Sequence, residues 1–215
     1  MPCLYIITGS NGAGKSTVGP NYLPDYIRTS NQLFDGDKLF MQKRSELWKN
    51  GIKSHKECKK LAFEFVEQTF DRLVDEALAA GSDFTYEGHF TNEATWDIPL
   101  RFKEAGYDIQ LIFFGLRDTD LSEMRVVARS REGGHYVDPM TVASNFFGNL
   151  EKLNKHFRMF NSVQIIDTSE AAHEVLTVLQ EGIPMSAVDS AILPGWFVQG
   201  LPDITAVIRK TGSGS

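Results

Sequence analysis

The sequence predicts an α/β fold: a doubly wound, parallel, five-stranded sheet with helices on both faces. Two observations carry that expectation. Short apolar runs of strand length alternate along the chain with longer stretches whose apolar residues recur at helical spacing. The apolar runs are nearly continuous, as strands covered on both faces must be, since neither side meets water. Length sets a bound: 215 residues, against a prior of roughly 150 per domain, describe one domain with room for an appendage.

Residues 4–8, Leu-Tyr-Ile-Ile-Thr, form a buried-type strand that Gly9 ends. A helix starting at Lys15 has to be short, because Gly19-Pro20 and Pro24 interrupt it. A brief strand over 32–35 leads to Asp37, suited to the N-cap of a helix over 38–49. Ser54 and Glu57 form a capping box, opening a long helix to about Ala80 with Gly81 as its stop. Leu61, Phe65, Phe70, Leu73, Val74, Ala77 and Leu78 supply its apolar stripe. A strand over 83–87, a helix over 93–104 ended by Gly106 and a strand over 109–114 follow. Thr119 or Asp120 caps a helix to about Arg131, and Gly133-Gly134-His135 breaks the pattern. Asp138 as N-cap, with Pro139 at the first helical position, opens another long helix to about Phe160. The last strand spans 163–167, with a helix over 171–181 behind it. The domain is therefore expected over 1–182. Residues 183–210 hold three prolines and no clear period, which reads as an irregular extension packed on the domain. Residues 211–215, Thr-Gly-Ser-Gly-Ser, read as an expression scar.

Composition narrows the partners. A net charge of −6 and a pI of about 5.4 argue against nucleic acid or an anionic membrane. Cys3 and Cys58 form neither C-x-x-C nor a metal-ligand spacing, which suits a reducing, cytoplasmic setting. A strand beginning near Leu4 leaves no place for a signal peptide, and no apolar run is long enough for a membrane span.

Gly9, Ser10, Asn11, Gly12, Ala13, Gly14, Lys15, Ser16 and Thr17 contain the pattern G-x-x-x-x-G-K-[ST]. Its glycines let backbone N–H groups turn inward around a phosphate, and the helix opening at Lys15 adds its positive N-terminal end. Lys15 can reach the β- and γ-phosphates, and the Ser16 hydroxyl can coordinate Mg²⁺. The pattern lies between a strand and a helix in the first βα unit, as its physics requires, whereas an ordinary glycine-rich turn has no such requirement. ATP or GTP binding follows. A guanine-reading N-K-x-D is missing: Asn154-Lys155-His156-Phe157 lacks the aspartate and falls inside a helix. A short chain that starts with this loop is typical of a P-loop kinase for small molecules or nucleotides.

Phosphoryl transfer to a hydroxyl needs positive charge around the γ-phosphate and a carboxylate for the acceptor proton. Strand carboxyl ends face the ligand crevice of an open α/β sheet. Asp35, with Asp37 just beyond it, Glu87 and Asp167 occupy such ends. Asp37 is the candidate base; a plain N-cap is its other role, and the two are compatible. Glu87 is placed to bind the acceptor or to orient Mg²⁺-bound water, or else simply ends a strand in solvent. Asp167 reads as a cap for the helix after it. Arg125, Arg129 and Arg131 precede the glycine pair, and Arg125 and Arg129 share a helix face. Held over the γ-phosphate by a hinged lid they would stabilise the transferring group; otherwise they form a solvated face. Residues 38–60 carry eight Lys/Arg against two Glu, either a lure for an anionic acceptor or the wet side of two helices.

Taken in order, G-S-N-G-A-G-K-S-T, F-D-G-D at 34–37, Y-E-G-H at 86–89, E-A-G-Y-D-I-Q-L at 104–111 and R-V-V-A-R-S-R-E-G-G-H-Y-V-D-P at 125–139 resemble the zeta-toxin family of P-loop kinases, particularly its short forms. N-L-E-K-L at 149–153 and I-I-D-T-S at 165–169 extend the resemblance to about residue 170. The resemblance implies ATP- or GTP-dependent phosphorylation of a sugar hydroxyl; in the long toxins the acceptor is UDP-N-acetylglucosamine, whose loss harms cell-wall synthesis. It assigns the base to Asp37, acceptor contact to Glu87 and transition-state charge to Arg125, with Arg129 and His135 nearby, His135 falling about where the long toxins have a further arginine; Glu87, His135 and the strand-end Asp35 are the expected substrate-binding residues. Mg²⁺ on Ser16 and a small helical antitoxin as protein partner belong to the same expectation. Short forms usually carry arginine and tyrosine after the G-G-H-x-V segment, where this chain has Ser144-Asn145-Phe146. Kinases for other small hydroxyl metabolites or antibiotics, and a nucleotide-dependent binding module without transfer, are the competing readings.

Overall fold

The computed structural model describes residues 1–30, 33–91, 93–132, 134 and 136–212. Among these described residues the sheet has seven strands in the order β2-β3-β1-β4-β5-β6-β7. Five of these are the expected parallel set: β1 (Cys3–Gly9), β2 (Leu33–Asp35), β3 (Phe84–Glu87), β4 (Asp108–Gly115) and β5 (Ser162–Asp167). β1 runs down the middle between β3 and β4, so Leu4, Ile6 and Ile7 are fully enclosed together with Ile109, Phe113 and Phe114. That placement brings the loop after β1 to the centre of the carboxyl edge, with β2 and β3 on one side and β4 and β5 on the other.

The helices are α1 (Lys15–Val18), α2 (Asp25–Ser30), α3 (Gly36–Lys49), α4 (His55–Ala80), α5 (Asp97–Glu104), α6 (Thr119–Arg131) and α7 (Pro139–His156). Ser54 accepts a hydrogen bond from the Glu57 N–H, and Gly81 ends α4 in the left-handed region at φ 60°. Asp138 caps α7 as its sequence implied, accepting from the Thr141 N–H at 3.0 Å. Two caps move by a residue or two. Asp35, not Asp37, caps α3 through the Lys38 N–H at 2.9 Å, which leaves Asp37 free of that duty. Asp118, ahead of Thr119 and Asp120, caps α6 through the Leu121 N–H at 2.8 Å. Residues 93–96 form a 3₁₀ turn before α5, and Phe157–Met159 form another after α7, which therefore stops short of Phe160. Phe65, counted in the α4 stripe, is exposed and lies under the Lys43 ammonium, 4.5 Å away.

The C-terminal fifth departs most from expectation. No helix follows β5: β6 (Glu174–Gln180) and β7 (Ile183–Ala187) form an antiparallel hairpin that extends the sheet. Val175, Thr177 and Val178 are β-branched, and Glu181-Gly182 make a two-residue turn with both φ angles positive, at 49° and 78°. Residues 183–210 are regular rather than irregular, because Pro194 caps α8 (Gly195–Gly200) and Pro202 opens α9 (Pro202–Gly212). Two of the three prolines begin helices instead of breaking them, and Pro184 lies in β7. Phe197, Leu201 and Ile204 from this region are fully buried in the core. Among the described residues no helix is long and apolar enough to cross a membrane.

Candidate active site

The loop after β1 takes its shape from its glycines. Gly9 has φ 133°, and a Cβ there would sit 2.1 Å from the Phe114 carbonyl oxygen, so the close approach of β4 admits no side chain. Gly12, at φ 73°, lets α6 press onto the loop, with Arg125 Cβ 2.9 Å from where its own Cβ would be. Ser10, Asn11 and Ala13 are buried, Gly14 precedes α1 at φ 84°, and Ser16 and Thr17 open outward from its first turn. Lys15 is buried beneath, its Nζ donating to the carbonyls of Gly9 at 3.0 Å and Ser10 at 2.9 Å. Burial pulls its pKa down, opposed by the negative charges of Glu87 and Asp37.

Parallel pairing sets the acids beside this loop. Asp35 and Glu87 are register partners at the ends of β2 and β3, next to β1. The Ser16 hydroxyl donates to Glu87 Oε2 at 2.7 Å. Burial pushes the Glu87 carboxyl above its ordinary range, opposed by Lys15 and by the Ser16 hydrogen bond. Asp37 is exposed in the first turn of α3 and lines a cavity of about 340 Å³ with Phe40, Lys59, Phe63, Glu87 and His89. Lys15, Ser16, Asp35, Asp37 and Glu87 thus converge as the sequence suggested. A larger groove of about 840 Å³ follows the outer edge of β2, past Tyr26, Leu73 and Asp83. The phosphate loop does not line it, so size does not mark the site here.

The arginines divide. Arg125 does not point over the loop: its Nη1 donates to the Thr168 carbonyl at 2.8 Å and its Nη2 to the Ser169 carbonyl at 3.0 Å. A longer contact joins Nη1 to the Gly12 carbonyl at 3.4 Å. Arg129 is the arginine whose positive charge bears on Lys15 and helps lower its pKa. Gly134 seats it, for a Cβ there would lie 2.7 Å from Arg129 Cγ. His135 lies outside the described residues, as do Gly133 and Gln32. Asp167 caps no helix; its Oδ1 accepts from the Ser169 N–H at 2.9 Å, and its Oδ2 from Trp196 Nε1 at 3.2 Å.

Several residues of the site have no role assigned from the sequence. Asn149, buried in α7, accepts from the Phe90 N–H at 2.7 Å and the Thr8 hydroxyl at 3.2 Å. Its Nδ2 reaches His89 Nδ1 at 3.1 Å, so that ring nitrogen accepts and the imidazole is neutral. Burial, with the Lys15 charge, holds His89 well below its ordinary pKa. Asn145, one turn earlier, donates to Asn11 Oδ1 at 2.8 Å. The Y-E-G-H and N-L-E-K-L runs contain His89 and Asn149, and the two asparagines share an i, i+4 spacing, but neither signal names partners that lie far away in sequence.

A model of the zeta toxin family matches residues 1–174. The chain belongs to the zeta-toxin family. The match ends where β6 begins, so β7, α8 and α9 lie beyond it. No curated protein matches the sequence significantly. Among solved structures, the PezAT chromosomal toxin–antitoxin system of Streptococcus pneumoniae aligns with a TM-score of 0.58 and 20% identity, over 80% of this chain and 72% of that one. AvrRxo1-ORF1:AvrRxo1-ORF2 crystallised with sulphate ions gives 0.69 and 14% identity, over 95% of this chain and 64% of that one. The same pair with ATP gives 0.68 and 15% identity, over 89% and 62%. This chain therefore spans less than two thirds of those two chains, and at such identities the likeness is one of fold.

Proposed function

We propose that this zeta-toxin family member is a phosphotransferase, moving the γ-phosphoryl group of ATP or GTP to a hydroxyl of a small molecule. A nucleotide sugar of the UDP-N-acetylglucosamine kind is the expected acceptor, met in the cytoplasm. One observation carries the reading: the phosphate loop's buried Lys15 lies within the fields of Glu87 and Asp37, its outward Ser16 donates to Glu87, and both acids line one cavity. A fold neighbour crystallised with ATP supports the choice of donor.

The loop N–H groups and the end of α1 would hold the donor phosphates, with Lys15 turning from the Gly9 and Ser10 carbonyls to the transferring group. The acceptor hydroxyl would give its proton to an Asp37 carboxylate oxygen as its oxygen bonds to the γ-phosphorus. The bond to the β,γ-bridging oxygen breaks and the nucleoside diphosphate leaves. Arg129 would neutralise charge on the equatorial oxygens. Among the described residues no group of three His, Cys, Asp or Glu is arranged to hold a metal alone. The Ser16 hydroxyl with nearby Glu87 still fits Mg²⁺, which is bound chiefly through phosphates, waters and one or two protein oxygens. When bound, that ion would neutralise charge on the β- and γ-phosphates.

Phe40, Phe63 and Val66 give the cavity an apolar wall, and this favours a second reading, another small hydroxyl compound with an apolar face. A small helical antitoxin is the protein partner in keeping with the toxin–antitoxin system that shares the fold. The test is transfer from γ-labelled ATP with Mg²⁺ to a panel of nucleotide sugars and other hydroxyl compounds. A labelled acceptor is expected, lost in Lys15→Ala and formed about 10²–10⁴-fold more slowly in Asp37→Asn with nucleotide still bound. Unchanged turnover in Asp37→Asn removes it as base; ATP hydrolysis with no labelled acceptor overturns the transfer reading.

A further inference from the structure

The acids of the site all lie on the β2–β3 side of the phosphate loop. On the other side, β4 and β5 end at Gly115 and Asp167, and the turn after β5 doubles back onto the loop. The Thr168 hydroxyl lies 3.0 Å from the carbonyl oxygens of both Ala13 and Gly115, and the Thr168 N–H donates to Gly115 O at 3.0 Å. Arg125 closes this junction from α6. Its two terminal nitrogens take two consecutive carbonyls, Thr168 and Ser169, in the fork geometry that a guanidinium has and an ammonium lacks. α6 is itself fastened to the loop, since the Ser122 hydroxyl donates to the Asn11 carbonyl at 2.5 Å. Helix, phosphate loop and turn therefore form one hydrogen-bonded unit.

In-line transfer puts the acceptor and the leaving nucleotide on opposite sides of the transferred phosphorus. With the acceptor on the Asp37 side, the donor nucleoside falls on the β4–β5 side, against the turn that Arg125 fastens. We propose that Arg125 is a positioning residue for the donor: it locks the turn over 167–169 onto the phosphate loop and so sets affinity for the nucleoside diphosphate part, while charge on the transferring group falls to Arg129. A wall of this kind is the same before and during transfer, so it stabilises ground and transition states alike and acts on KM more than on kcat. The inference rests on the nucleotide-binding reading of the loop, but not on any particular acceptor.

The experiment measures ADP affinity of the full chain by calorimetry, beside KM for ATP and kcat wherever transfer is observed. Arg125→Lys, which keeps the charge and loses the fork, is expected to weaken ADP about tenfold and raise KM by a similar factor, with a smaller fall in kcat. Thr168→Val loosens the same turn from its other face and should repeat the effect, the double variant being less than additive. Arg129→Ala should show the reverse split, kcat falling more than ADP affinity. A fall in kcat for Arg125→Lys with ADP affinity unaltered overturns the proposal and returns Arg125 to the transferring phosphate. If Arg125→Lys does not fold, Thr168→Val decides alone, and unaltered ADP affinity there overturns the proposal. Should no acceptor be phosphorylated, the ADP measurements still decide it; wild-type chain that binds no ADP overturns it together with the reading of the loop.

Discussion

Glu87 answers two opposing demands. As a carboxylate it takes the Ser16 hydroxyl, 2.7 Å away, yet burial favours its protonated form and pushes its pKa up. A glutamate whose folded pKa exceeds its unfolded one contributes stability below the ordinary value of 4.5, lost as pH rises through the folded value. At neutral pH, without nucleotide or metal, the ionised group is thus a net cost to the fold. Glu87→Gln is expected to melt higher than wild type at pH 7 and no higher at pH 4, while transferring phosphate more slowly; thermal melts at the two pH values check it. At this scale the phosphate loop, Asp37 and Glu87 were legible, because a motif and the rule for strand ends locate them. Arg125 was not. Its i, i+4 relation to Arg129 gives a shared helix face but says nothing of the two carbonyls, 43 and 44 residues away, that claim its guanidinium. The part Asn149 plays was hidden for the same reason, although the residue opens the N-L-E-K-L run: its partners Thr8 and Phe90 are 141 and 59 residues distant.

Between elements, Glu93 ties the 3₁₀ turn before α5 to α7. Its Oε1 accepts from Lys152 at 2.7 Å and Lys155 at 3.0 Å, and these two hydrogen bonds bring its pKa down to about 2. The sign is opposite to that of Glu87. The tie contributes fully above the ordinary value of 4.5 and disappears as pH falls through about 2. Glu93→Gln should lower the urea midpoint at pH 6 at low ionic strength, with the difference from wild type shrinking towards pH 2 and in high salt, since Glu93 is exposed. Element identity was readable wherever one period dominated, as in the enclosed strands β1 and β4 or the capped helices α4 and α7. It failed over 171–181, where Val175, Leu176 and Leu179 recur at helical spacing. The β-branched neighbours and the Glu181-Gly182 turn, which decide for a hairpin, are weaker local signals.

Across the whole molecule, the C-terminal region is part of the core rather than an ornament on it. Leu193, Trp196, Phe197, Leu201, Ile204 and Ile208 are all buried with the residues of the parallel sheet. At about 2 kcal/mol for each enclosed side chain, these six stabilise the fold by roughly 10 kcal/mol, comparable with the net stability of a whole domain. A chain ending at residue 182 is therefore expected to lack a cooperative thermal transition by circular dichroism. A two-state melt near the wild-type midpoint would refute this. Fold class and family were legible from about four fifths of the chain, because buried parallel strands and a phosphate loop leave unambiguous patterns. The last two helices were not, because Pro194 and Pro202 sit at their starts, where the residue that breaks one element begins the next.

Trp196 packs its ring where a Cβ on Gly115 would come within 2.0 Å, and its indole N–H holds the carboxylate that also holds Ser169. The other tryptophans lie in other parts of the structure, Trp48 stacked on His55 and Trp96 tilted against His156. One fluorophore is thus wired by a single hydrogen bond to the turn that abuts the phosphate loop. With Trp48 and Trp96 replaced by phenylalanine, the emission colour of the remaining indole becomes an optical gauge of that turn, read in real time and without a label.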